Sequence, residues 1–356
     1  MRTVVVTLAM LASGLAGARS QTPAATVSDS AKAVKFFQSE SPIAVTLTTN
    51  IKRLRGDRPT KGGNSPWRWA TLAYGGDEGT VTVPLRVRTR GIWRLQNCEF
   101  PPVRFNFSNS ATKKTIFHGL DKPKLVSYCR DDDTYEDYIL RELQLYRVYH
   151  VLTPASHAVR LLRVTYEDSA SGKKQTTRYA FVEEDPGAMA ERLHGRLLKL
   201  TGAKSDDLDP LHDATVGVFQ YMIGNTDFAL GALHNAELFA TANGEYWPIV
   251  YDFDFSGAVN ARYATVDPRL SIRHVRDRQY RGLCVPLDVY PKVYELFRSK
   301  KDAIYALYRD SIGKLMRPGT ADETLRYFDE FYKTINDPRS ARDEIEDSCL
   351  GTKPKR

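Results

Sequence analysis

A change of rhythm divides this chain. From residue 42 to residue 129 apolar and polar residues alternate, as in "PIAVTLTTNI", "PWRWATLAY" and "TVTVPLRVRTRGIWRL". A period of two marks strands with one buried face. "PPVRFNFS" and "KPKLVSYC" continue the series, and the Gly-rich "YGGDEG" at 74–79 supplies a turn. After residue 186 the apolar residues return every three or four positions, in "GAMAERLHGRLLKLTG", "HDATVGVFQYMIGN", "PKVYELFRSKKDAIYALYRDSIGKLM" and "ADETLRYFDEFYKTINDP". That is the spacing of helices with one buried stripe. Before the division, "DDDTYEDYILRELQLYRVYHVL" (131–152) is helical, with Asp and Thr at its start suited to an N-cap and Pro154 to end it. "HAVRLLRVTYED" and "TTRYAFVEED" then form a hairpin around "SGKK", and Pro186-Gly187 punctuates the chain. The expectation is an α+β chain: a β-rich first lobe over 41–185 with one prominent helix, and a helical second lobe over 186–356 carrying one hairpin.

The 356 residues, 42% of them hydrophobic, suffice for a sizeable core. The opening "MRTVVVTLAMLASGLAGARSQ" places one Arg before a short apolar run that ends in small residues, with Ala18 and Ser20 at cleavage-compatible positions. It predicts a signal peptide over 1–20, a flexible Ala/Ser/Thr-rich leader over 21–40, and a secreted or periplasmic protein with no transmembrane segment after cleavage. Four cysteines in an oxidising compartment, Cys98, Cys129, Cys284 and Cys349, allow two disulfides in three connectivities. Cys98 with Cys129 is the favoured pair, because both belong to the first lobe. The formal charge of +8 includes Arg2 and Arg19 of the leader and is otherwise spread along the chain, apart from "KRLR" at 52–55. No basic run interleaved with aromatics occurs, which argues against nucleic acid as a partner. A mildly basic surface is compatible with association with an anionic envelope.

The chemistry concentrates in "GNTDFALGALHNAELFATANGEYWPIVYDFDFSG", residues 224 to 257. An "ANG" turn between apolar runs predicts a hairpin. The hairpin returns Asp252 and Asp254 to the neighbourhood of Asp227 and Asn235. Carboxylates and carboxamides gathered this way suit a hard divalent cation or a proton in transit. Two Asp beside Phe253 and Phe255 are costly to bury without a cation or donors. Asp252 and Asp254 share one face if the segment is extended.

Together with "VPLRVRTRG", "FPPVRFNF", "KLVSYCRDDDTYEDYILRELQLYRVYHVL" and "YAFVEED", this stretch resembles the spore-coat-protein-H (CotH) kinase-like family, over roughly residues 80 to 260. The resemblance implies a two-lobed protein-kinase-like fold and phosphate transfer from ATP, with Mg²⁺ or Mn²⁺, to a protein or small-molecule hydroxyl acceptor. On that pattern Asp227 is the catalytic residue that takes the acceptor's proton, while Asn235, Asp252 and Asp254 hold the metal, Asp252 foremost. Lys124 and Glu142 would pair to meet the nucleotide phosphates, with Lys122 as the competing lysine and Arg88 and Arg90 as further phosphate contacts. Asn235 follows Asp227 by eight residues, where the family pattern has five. His234 is a candidate phosphate contact. Two other functions use the same residues: a secreted pseudokinase that binds without turnover, and a metal-assisted hydrolase. The order Lys, Glu, Asp, Asn, Asp argues against the hydrolase.

Overall fold

The computed structural model describes residues 35–58, 64–91 and 93–353. The expected signal peptide, and the leader before residue 35, lie outside them. Among the described residues ten strands form two sheets: β1 (Ile43–Thr49), β2 (Arg68–Gly76), β3 (Gly79–Thr89), β4 (Val103–Asn106), β5 (Lys124–Val126), β6 (Val159–Asp168) and β7 (Lys173–Glu183) in the first, and β8 (Arg196–Leu198), β9 (Ala236–Ala240) and β10 (Tyr246–Val250) in the second. The α-helices are α1 (Ile51–Gly56), α2 (Trp93–Asn97), α3 (Asn109–Thr112), α4 (Asp133–Leu152), α5 (Pro186–Arg192), α6 (Pro210–Ile223), α7 (Val289–Leu307), α8 (Thr320–Asn336) and α9 (Pro338–Ala341).

The expected two-lobed protein-kinase-like fold is overturned, although the α+β class holds. The first seven strands close into a barrel in the order β1-β2-β3-β4-β5-β7-β6. Closure comes from β1 lying parallel to β6, from Ile43 opposite Leu162 to Thr49 opposite Asp168. Alternation says that each strand has one apolar face, but not which two strands will meet at the seam. A closed sheet leaves no unpaired edge. Its inward residues, among them Leu47, Leu72, Val83, Val87, Val103 and Leu125, form a dry core of their own.

A second apolar core lies outside the barrel, around α4. Asp132 caps α4 by accepting from the backbone N–H groups of Thr134 (2.8 Å) and Tyr135 (3.0 Å). Fourteen of its twenty residues are buried, so it is enclosed rather than laid on a surface. Residues of α4, α6, α7 and α8 pack together there with β9 and β10. Two local expectations also change. Strand β3 ends at Thr89 and Trp93–Asn97 forms α2 instead of extending the strand, and the helix begun at Pro186 stops at Arg192. His194 then takes φ +55° and the chain enters β8, which pairs with β9. Gly195 permits that approach, since a Cβ there would stand 2.3 Å from the Ala240 carbonyl oxygen.

Disulfides join Cys98 to Cys129, the favoured pair, and Cys284 to Cys349. Both fit an oxidising compartment. No described helix is long and apolar enough to cross a membrane.

Candidate functional site

The residues of interest converge where the outer face of the barrel meets α4 and the β9–β10 hairpin. Helix α6 delivers the first of them. Asp209 caps its start, accepting from the His212 backbone N–H at 2.7 Å, with Pro210 in the first turn. Gly224 ends it in the left-handed region at φ +64°, against the Tyr327 hydroxyl, where a side chain has no room. The loop that follows is built on Asp227. Its backbone N–H donates to Asn225 Oδ1 at 3.0 Å, and His234 Nε2 lies 2.9 Å from Asp227 Oδ1. Asn235 Nδ2 donates to the Asp227 carbonyl (2.8 Å) and to Oδ2 (3.1 Å). The long spacing between Asp227 and Asn235 is absorbed by a 3-10 turn at Leu230–Ala232 and a bridge between Ala229 and His234, so the two side chains still meet.

The hairpin turns at 241–245, where the Thr241 backbone N–H donates to the Glu245 carbonyl at 2.9 Å and Gly244 takes φ +86°. It brings Tyr251 back to Asn235, whose carbonyl accepts from the Tyr251 N–H at 3.1 Å. The strand ends at Val250, so Asp252 and Asp254 do not share a strand face as the extended reading had it. Asp252 instead sits at φ +62°, and its N–H donates to the Tyr146 hydroxyl of α4 at 2.9 Å. Phe253 between them is fully buried, its ring 4.7 Å from that of Tyr146 and 5.4 Å from that of Phe219. Leu233, Asn235 and Asp252 are all non-glycine residues at positive φ. Strain of this kind persists where the surrounding structure enforces it.

Lys124 opens β5 directly opposite Glu183 at the end of β7. Its Nζ donates to Glu183 Oε1 and lies 4.5 Å from the Tyr251 ring centroid. Burial works against the Glu183 carboxylate, yet Lys124, His157 and Arg90 hold its pKa below the usual value. Lys124 is therefore paired with Glu183 and not with Glu142. Lys122 is on the surface with Asp121.

Glu142 lies buried on α4, and neither of its carboxylate oxygens is hydrogen-bonded to a described residue. Burial first, and then the charges of Asp254 and Asp252, push its pKa well above the ordinary range, while Arg94 acts in the opposite direction. Asp254, also buried, is pushed up to about 7 by burial and then by Asp252. It accepts from the Tyr263 hydroxyl at 3.1 Å. Arg94 is near enough to all three carboxyl groups for their charges to act on it. Burial opposes its charge, but Tyr263, Asp254, Glu142 and Asp252 hold its pKa above the usual value. Helix α2, which carries Arg94, is fixed to the exit of β5 by the Cys98–Cys129 disulfide and by Arg94 donating to the Ser127 carbonyl.

Arg90 stands near Glu183 and Tyr251. Arg88 is stacked 4.4 Å above the Trp67 ring centroid, further out on the barrel. Sequence reasoning missed Arg94, Glu183 and Tyr146. The acidic "EED" closing a strand was a signal for Glu183, whereas an isolated Arg in "GIWRL" and a Tyr in an aromatic helix carried none.

Among the described residues no three His, Cys, Asp or Glu side chains stand as a ready ligand set for a metal ion. The donor chemistry nevertheless fits a hard cation. Asp252, Asp254 and Glu142 offer oxygens, two of them unpartnered, and Mg²⁺ is commonly held by one or two carboxylates with water and substrate phosphate completing the shell. Lys124, Arg90 and Arg94 place positive charge in the same region. No protein-family model and no curated protein matches the chain.

Proposed function

We propose that this chain is an exported phosphotransferase that moves the terminal phosphate of ATP to a hydroxyl of a protein or small molecule with Mg²⁺ or Mn²⁺. The observation that carries the reading is the burial of two carboxyl groups: Glu142, with neither oxygen hydrogen-bonded to a described residue, and Asp254, near enough to half-buried Asp252 and to Arg94 for their charges to act on one another. Carboxyl groups desolvated together cannot all ionise without further positive charge. A divalent cation bound there would neutralise charge on the phosphates during transfer. The residues of the chain do the positioning. Asp227, 41% exposed, is open to an acceptor hydroxyl and takes its proton. His234 and Asn235 fix the orientation of that carboxylate. The Tyr146 hydroxyl holds the backbone of Asp252, and Lys124, kept in place by Glu183, faces the phosphates. The predicted leader and the two disulfides support export, and the motif residues keep their resemblance to the CotH kinase-like family.

The test is transfer of labelled γ-phosphate from ATP to candidate acceptors, or to the chain itself, with Mn²⁺ or Mg²⁺. Asp227→Asn and Asp252→Asn should each lower the rate by at least about a hundredfold. Binding of nucleotide and metal without any transfer would convert the reading to a pseudokinase. Phosphate release without an acceptor, lost in the same variants, would make the chain a hydrolase.

A further inference from the structure

The basic run at 52–55 takes no part in the site beside α4. It belongs to α1, whose Ile51 and Leu54 turn into the barrel core and leave Lys52 and Arg53 exposed. The helix starts at the end of the barrel where β1 stops and β2 begins. There the Thr49 hydroxyl donates to the Trp69 carbonyl at 3.0 Å. Ala70 of β2 turns inward and Trp69 outward. The Trp69 side chain is 78% exposed and meets no other ring or cation among the described residues. It is not an isolated apolar residue. Trp67 lies on the same outer face, under the guanidinium groups of Arg88 (4.4 Å) and Arg86 (5.9 Å), and exposed Pro84 is on the neighbouring strand, opposite Thr71. Arg86 stands directly opposite Trp69. Lys52, Arg53 and Arg86 have no carboxylate partner among the described residues. Asp57, at the same end, is taken by Arg68 at 2.7 Å, and Glu167 stands opposite Thr48, two strands away from Trp69.

We infer that this end of the barrel docks on an anionic lipid bilayer, with Trp69 entering the headgroup region and Lys52, Arg53 and Arg86 lying against the lipid charges. An indole favours the bilayer interface, because its ring is apolar and its N–H polar. Basic side chains beside an anionic leaflet each add to the attraction, within about one Debye length of the surface. Exposed indole and cations without internal partners supply both halves of such a surface. The outer wall of a closed barrel is convex, which suits a broad, flat partner. The contact is peripheral and reversible, since no described helix can cross a membrane and one indole with a few cations is a weak anchor. The inference is independent of the phosphotransferase reading.

The test is co-sedimentation of the mature chain with vesicles of phosphatidylcholine and phosphatidylglycerol in equal parts, and with vesicles of phosphatidylcholine alone. The expected result is binding to the anionic vesicles that weakens as salt is added, with little binding to the neutral ones. Trp69→Thr keeps a strand-forming residue at an exposed position. In Lys52→Glu/Arg53→Glu, the new carboxylates fall in the first turn of α1, where they suit the helix dipole. Each of these two variants should weaken binding by about tenfold or more, and unchanged melting separates lost docking from lost fold. Lys300→Glu/Lys314→Glu makes the same change in net charge at exposed lysines of α7 and the 3-10 turn after it, and should bind nearly as well as wild type. Full binding by Trp69→Thr, an equal loss in the Lys300/Lys314 variant, or no preference for anionic vesicles would each overturn the inference. Binding to heparin but not to vesicles, lost in the same variants, would give the surface to a soluble polyanion and overturn it as well.

Discussion

The two faces of the barrel are made by the same strands and obey opposite rules. Inward, Val87, Val103, Leu125 and Val182 lie within the dry core. Outward, one residue away along each strand, stand Arg88, Arg104, Lys124 and Glu183. The inner face gains from every apolar contact and needs no partner outside itself. The outer face opposes like charges and leads to Glu142, Asp254 and Asp252, whose charges act on one another, an arrangement that lowers stability unless something else binds. The interior thus carries the fold, which leaves the exterior free to be arranged for a ligand. The strained backbone at Asn235 and Asp252 belongs to this second surface.

The sharpest way to break this contrast is to change one residue on each face. Leu125→Ala should cost about 2–5 kcal/mol in denaturant unfolding, because it opens a cavity in a closed core. Arg104→Gln should change stability by less than about 0.5 kcal/mol, or raise it, because it relieves a cation between two others. Equal losses from the two variants would mean that the outer row is structural.

A smaller effect isolates the penalty of burying a carboxyl group away from the site. Asp213 on α6 is buried, neither of its oxygens is hydrogen-bonded to a described residue, and burial, followed by the charge of Asp209, pushes its pKa up to about 7. Between the ordinary value near 4 and about 7, the folded chain keeps a proton that the unfolded chain has released. Asp213 therefore removes stability as pH rises through that window, and the loss is complete above it. Asp213→Asn should be more stable than wild type by on the order of 2 kcal/mol at pH 8, with the gain fading toward pH 4. A gain independent of pH would show that the carboxyl is already paired.

Alternation and helical spacing made most of the strands and long helices legible, because both report one-sided burial. They could not show barrel closure, since the pairing of β1 with β6 joins segments more than a hundred residues apart whose patterns fit many partners. The "ANG" hairpin was legible from turn chemistry, whereas the Asp227–Asn235 meeting depends on the 3-10 turn at Leu230–Ala232 and the Ala229–His234 bridge, which the eight-residue spacing did not reveal. The partner of Lys124 was not legible either. A helix carboxylate and a strand-end carboxylate look alike in sequence, and only the β5–β7 register selects Glu183. Arg94 escaped for a similar reason, because its place depends on a disulfide and a short helix within an apparently extended run.

The central claim is that the acidic cluster outside the barrel is completed by a divalent cation and a phosphate-bearing ligand. The direct measurement is thermal unfolding of the mature protein with Mn²⁺ and ATP, separately and together, beside Asp252→Asn. Binding to the folded state raises its melting temperature by mass action. The account predicts a larger rise with both ligands than with either alone, and the loss of that rise in Asp252→Asn. An equal rise in the variant, or none in the wild-type chain, would contradict it.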